Sequence, residues 1–364
     1  MKRNLQFALR AVLLSVIAAA SIAHAAEMKT GTPDLKMVGP LAFGPNGILF
    51  LGDPVSAKIV AVDTKDTKGS ADSVSINLDG IDEKIAAMLG TTASDILIND
   101  LAVNPASGNA YLSVSRGRGP DGVPVVVKVG ADGTISELSL ENVTYSEATL
   151  PNPPDDAPGG RGNPRLDSIT DLAFVEGRLF VAGLSNEEFG SKLRSMPFPF
   201  AEAGDGTSVE IYHGSHGRFE TRSPIRTFAA YEIEKTPHLL AAYTCTPLVK
   251  IPVAMLKPGE RIKGETIAEL GNRNRPLDMI VYNKDGKDFV LMSNNSRGLM
   301  KISTDHMADV PAITERIPDK AGVEYETIES VKGVLQLDRL NADHALMLVQ
   351  AESGAMMLST MELP

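Results

Sequence analysis

The chain has 364 residues, 35 Lys and Arg against 46 Asp and Glu, a formal net charge of −11 and a single cysteine. This acidic balance excludes nucleic acid and anionic lipid surfaces as partners, since both need a basic face. One cysteine excludes an internal disulfide, the lack of C-x-x-C-H excludes covalent c-type haem, and no Walker or dinucleotide glycine pattern stands in a usable context.

The first element is a leader. Lys2, Arg3 and Arg10 precede or flank an apolar run from Ala11 to Ala20, and Ala23-His24-Ala25 places small residues around one spacer. That layout predicts a signal peptide over 1–25, cleaved near Ala25 or Ala26, and a periplasmic or secreted destination. The apolar run is short for a span of roughly 20 residues, and no later stretch is long enough to cross a membrane. With the three leader cations gone, residues 26–364 carry a net charge of −14.

Six related units follow, starting near Pro40 (GPLAFGPNGILFLGDPVSAKIVAVDT), Asn99 (NDLAVNPASGNAYLSV), Thr170 (TDLAFVEGRLFVAG), Ile225 (IRTFAAYEIEKTPHLLAAY), Leu277 (LDMIVYNKDGKDFVLMS) and Leu335 (LQLDRLNADHALMLVQ). Each reads as an apolar strand, a turn, a second apolar strand, a loop and a third strand. The one good helix candidate lies between the first two units, from Gly80 to Gly90, with acidic residues early and a closing glycine. Two stretches rich in Pro and Gly, near 148–166 and 187–216, read as loop insertions.

The doorway positions just ahead of each first strand are Pro40, Asp100, Asp171, Arg226, Asp278 and Gln336, about 59 residues apart on average. A repeat of that length built from short strands predicts an all-β fold, a single six-bladed β-propeller over 26–364. Seven blades, or two β-sandwich domains, are the alternatives. The last unit ends after its third strand, so an N-terminal strand, 34–39, is expected to close the ring in the last blade and remove its exposed edges.

In a propeller the doorway positions converge on the central channel. Asp100, Asp171 and Asp278 repel one another there unless they serve as turn acceptors, hold a cation, or face an arginine. A hard divalent cation such as Ca²⁺ takes oxygen ligands, which makes Asp100, Asp171 and Asp278 candidate metal ligands. Arg226, Arg273 and Arg275 could neutralise them without metal. The loops joining second and third strands open on the same face and add Arg116, Asn186, Thr244, Cys245, Asn294, Asn295 and Arg297 as candidate ligand-binding residues. Cys245 aligns with Ser296, because LVKI at 248–251 matches LMKI at 299–302. The pair His213 and His216 (HGSH) has metal-ligand spacing but sits in a glycine-rich turn, and the alternating Met residues of the last unit fit core packing.

The first unit, GPLAFGPNGILFLGDPVSAKIVAVD, resembles the repeats of NHL and YVTN-type propellers and of the SMP-30/gluconolactonase family. Members of that last family are six-bladed calcium-dependent lactonases. The resemblance implies a metal-dependent hydrolase with Asn99, Asp100 or Asp278 as ligands and Asp171 or Asp278 as catalytic base. Where the family carries Glu-Gly-Pro, with the Glu on the metal, this chain has Val38-Gly39-Pro40. The other expectation is a non-catalytic exported propeller that binds a small molecule or a periplasmic protein at its polar mouth, with or without a structural divalent cation.

Overall fold

The computed structural model describes residues 28–364 apart from 120, 161, 201 and 246. The predicted signal peptide lies outside the described residues. Among these residues no helix is long and apolar enough to cross a membrane.

Six antiparallel sheets form the blades of a β-propeller, numbered here in chain order. Their inner strands are Leu41–Phe43, Ile96–Val103, Asp171–Val175, Ile225–Ile233, Pro276–Lys284 and Val334–Arg339. The second strands are long apolar runs, such as Ile48–Asp53 and Arg178–Leu184, because neighbouring blades bury both of their faces. Strands at blade edges are short and polar, as in Ile135–Glu137.

Six hydrophobic clusters fill the six blade interfaces and show the order around the ring. Leu41, Leu49 and Leu51 of blade 1 pack on Ala102, Tyr111 and Val126 of blade 2. Phe50 and Ile59 of blade 1 pack on Leu172, Leu179 and Val181 of blade 3. Blade 2 meets blade 6 through Leu101, Leu112 and Val127 against Leu346 and Leu348. Three further clusters join blades 3 and 4, 4 and 5, and 5 and 6. The spatial order is therefore 2-1-3-4-5-6, with the first two blades transposed relative to the chain.

Strand pairing explains the transposition. After three strands of blade 1 the chain crosses to blade 6, where Asn77–Asp79 pairs with Met356–Glu362 as its outer strand. The helix Ile81–Met88 follows, as expected between Gly80 and Gly90, and then the whole of blade 2. The chain returns as Val143–Thr149 to complete blade 1 against Lys58–Asp63. The last blade is thus closed by an added strand, but the strand is 77–79 and not 34–39. The N-terminal strand Lys29–Gly31 instead extends blade 1 beyond Val143–Thr149.

A second correction concerns 187–216. Ser191–Pro197 and Thr207–His213 inside it are the third and fourth strands of blade 3. The Pro and Gly residues that signalled a loop are concentrated in the crossing between those two strands. The segment near 148–166 is irregular after Thr149 and ends in the 3-10 turn Pro164–Ser168, capped by the Asn163 side chain on Arg165 N–H.

Candidate functional site

The inner strands enclose a channel with two openings. A cavity of about 450 Å³ opens at the doorway face, and one of about 660 Å³ opens at the other. Asp100, Asp171 and Asp278 line both and so form the waist between them. The expected convergence of the three doorway carboxylates is what the fold produces.

Their oxygens have defined partners. Asp100 Oδ2 accepts from Leu41 N at 2.7 Å, Asp171 Oδ2 from Phe228 N at 2.7 Å and Asp278 Oδ2 from Leu337 N at 2.8 Å. In each case the donor lies on the inner strand of the next blade. The second oxygen accepts locally in two of them: Asp171 Oδ1 from Leu172 N and Asp278 Oδ1 from Met279 N, both at 2.7 Å. Asp338, absent from the doorway set, does the same one layer further along, taking Val103 N at 2.7 Å and Arg339 N at 2.6 Å. Four carboxylates therefore staple blade 2 to 1, 3 to 4, 5 to 6 and 6 to 2. Hydrogen bonds to a charged acceptor are the strong kind, about 1.5–3 kcal/mol each.

Among the described residues no Lys, Arg or His forms an ion pair with any of the four. Burial raises all their pKa values, and mutual repulsion adds to it at Asp100 and Asp278, which lie well above the usual carboxylate range. Asp171 is pushed up to about 7 by burial, against the pull of its N–H donors. Asp338 reaches about 6 for the same reason, with the Arg339 charge holding it down.

The doorway mouth adds two cations, Arg226 and Arg275, to these carboxylates. Arg226 Nη1 meets Asp167 Oδ1 at 2.7 Å, and its Nε donates to Thr244 Oγ1 at 3.1 Å. Asp167 is carried there by the 3-10 turn 164–168, which lies flat on blade 3 because Gly183 leaves room for the Ser168 carbonyl where any Cβ would overlap it. Arg275 lines the same cavity, and its guanidinium has no hydrogen bond or ion pair among the described residues. Its pKa is lowered by burial and by the neighbouring Arg226 charge, with Asp167 opposing. Asn99, Thr227 and Gln336 complete the wall.

The structure redistributes the other sequence candidates. The doorway residue of blade 4 is Thr227: its register shift after Ile225 matches those after Ile98 and Pro276, so Arg226 holds the place of Asn99 and Leu277. Asn294 caps its own turn, accepting from Ser296 N and Arg297 N, and Asn295 accepts from Arg275 N. Arg297 donates to the Asn272 carbonyl, Arg116 to the Leu89 carbonyl, and Asn186 reaches Asp155. Arg273 and Cys245 occupy left-handed turn positions, at φ 56° and 68°. Arg116, Asn186, Cys245, Arg273, Asn294, Asn295 and Arg297 are not among the residues that line the doorway cavity. Met347 is buried in the blade 5–6 core, with Met357 and Met361 packed against it. Asp338 was legible in principle: it stands two residues after Gln336, so it points to the same face of the strand.

The calcium set implied by the SMP-30 resemblance does not fit. Val38 is fully buried, and its carbonyl accepts from Asn99 Nδ2 at 2.9 Å. Oxygens bound directly to one Ca²⁺ lie within about 5 Å of each other. Among the described residues the only three His, Cys, Asp or Glu side chains with ligand atoms all within 4.8 Å are His213, His216 and Glu220, which are not part of the channel lining.

No protein-family model matches the chain, and no curated protein sequence matches it. Solved structures similar to it include the PQQ-bound aldose sugar dehydrogenase of Streptomyces coelicolor, at 13% identity and TM-score 0.39, covering 92% of this chain and 98% of that one. A Thermus thermophilus protein described as a glucose dehydrogenase gives 14% identity and TM-score 0.36, covering 92% and 100%. The plexin A4 extracellular region gives 11% and 0.41, covering 92% and 47%.

Proposed function

We propose that this protein is an exported ligand-binding propeller whose doorway mouth takes a small molecule bearing an anionic group. The observation that carries this reading is Arg275, a guanidinium without a partner beside the already paired Arg226, facing a cavity of about 450 Å³. A cavity of that size suits a small molecule better than a protein surface. The anionic group sits between the two arginines, and neutral polar atoms of the ligand meet Asn99, Thr227 and Gln336. The waist carboxylates hold the ring together beneath it and repel any anion from the far opening. A divalent cation enters this reading only as a hydrated ion that eases their repulsion.

Calorimetry with a panel of small carboxylates, sugar acids and phosphates tests it. Binding by the wild type that falls at least tenfold in Arg275→Ala is the expected result. No binding across the panel, or binding indifferent to Arg275, would sink the reading.

One observation favours a second reading, a lactonase-type hydrolase. Asp171, with a pKa of about 7, lies at the floor of the same mouth and can take a proton at neutral pH. Turnover of a lactone panel, with and without added Ca²⁺, that disappears in Asp171→Asn would establish it. Absence of turnover in the wild type would remove it.

A further inference from the structure

At the rim between blades 3 and 4, outside the channel, the HGSH turn folds into a second site. His213 ends the strand Thr207–His213, and Glu220 ends its hairpin partner Arg218–Glu220. Glu220 bridges two imidazoles: Oε2 is 2.9 Å from His213 Nδ1, and Oε1 is 2.7 Å from His216 Nδ1. The two rings lie 3.9 Å apart between centroids. Glu269, from the outer strand Glu265–Leu270 of blade 4, closes the site from behind. Its Oε1 accepts from Gly214 N at 2.6 Å, and a side chain at Gly214 would press on the Glu269 carboxyl at 3.0 Å.

Three buried atoms here have no partner: His213 Nε2, Ser215 Oγ and Glu269 Oε2, with His213 2% and Glu269 1% exposed. With Nδ1–H donating to Glu220, His213 Nε2 is a buried lone-pair acceptor. A buried acceptor without a donor is costly.

We propose that the cluster is a transition-metal site, filled by Zn²⁺, with His213 Nδ1, His216 Nδ1 and a Glu220 oxygen as protein ligands and water in the fourth position. Imidazole and carboxylate donors suit zinc, at about 2.0–2.2 Å. The ligand atoms already lie within 4.8 Å of one another, so binding needs only a small opening of the present contacts. When Nδ1 takes the metal, the ring proton of each neutral His resides on Nε2. His213 Nε2 then carries the ring proton and ceases to be an acceptor without a donor. The side chain of His216 is 45% exposed and gives the ion a route from solvent. The site rivets the fourth strand of blade 3 to blade 4.

The test uses the full chain, with any affinity tag removed and stripped with a chelator. Titration with ZnSO₄ by calorimetry should give one ion per chain, and the melting temperature should rise. His216→Ala, a change at an accessible side chain, should weaken binding at least a hundredfold while circular dichroism stays unchanged. No binding by the wild type would overturn the proposal. Binding that survives His216→Ala would overturn it by placing the ion elsewhere.

Discussion

Asp171 in the channel and Glu220 at the rim are both carboxylates partly withdrawn from water, and they titrate in opposite directions. Burial raises both. At Asp171 two backbone N–H donors and the Thr227 hydroxyl do not offset it, and Asp338 adds repulsion, so the group reaches about 7. At Glu220 hydrogen bonds from His213, Ser223 and His216 outweigh burial and carry the carboxyl below its usual range. What decides the sign is the neighbourhood: like charges stacked around an axis in one case, ionisable donors gathered on a hairpin in the other.

The largest expected effect comes from breaking a staple. Asp278→Ala strands the Leu337 and Met279 N–H groups and should cost about 3 kcal/mol in denaturant unfolding, even though it relieves repulsion. Next is pH. A carboxylate whose folded pKa is raised binds protons more readily folded than unfolded, so stability falls as pH rises from about 4 through the folded value. Asp171 and Asp338, at about 7 and 6, therefore predict a chain about 4 kcal/mol more stable at pH 5 than at pH 8. Glu220 works the other way: its contribution is complete above its ordinary value near 4.5 and is lost as pH falls below it. Thermal melts should thus peak near pH 5, and a maximum at pH 8 would contradict the channel chemistry. A smaller effect sharpens the contrast. Asp171→Asn should flatten the slope between pH 5 and 8, and Glu220→Gln should leave that slope intact while weakening the acid-side fall. Smallest is Arg275→Ala, which should change unfolding free energy by less than about 0.5 kcal/mol while weakening anion binding.

Much of the channel could be read from residue spacing. Asp100, Asp171 and Asp278 share a doorway position in their units, and equivalent positions in a propeller must meet. The structure adds a role for them, since one oxygen of each accepts from a backbone N–H of the next blade. Arg226 stands at the bulged place that Asn99 and Leu277 hold in their blades, one residue before the doorway, and similarity of the apolar runs alone does not fix the units to a single residue. The transposed blade order was not legible, because connection lengths carry no record of which sheet a short strand such as 77–79 will join. Nor was the rim cluster. H-x-x-H gives two histidines, but Glu220 comes from the hairpin partner and Glu269 from another blade, and neither proximity is written in local spacing.

The two borrowed strands also set a timetable for synthesis. As the chain leaves the ribosome, the inner strands of blade 1 wait without an outer neighbour until residues 143–149 have emerged behind blade 2. Residues 77–79 wait longer still, until all the other blades have been made and the strand Met356–Glu362 follows them out. Blade-by-blade folding in chain order is therefore closed to blade 1, which waits for residues 143–149, and to the pairing of 77–79, which waits for the last blade. Pairing across such sequence distances is slow and exposes strand edges meanwhile. The same interleaving makes the finished ring hard to peel apart one blade at a time.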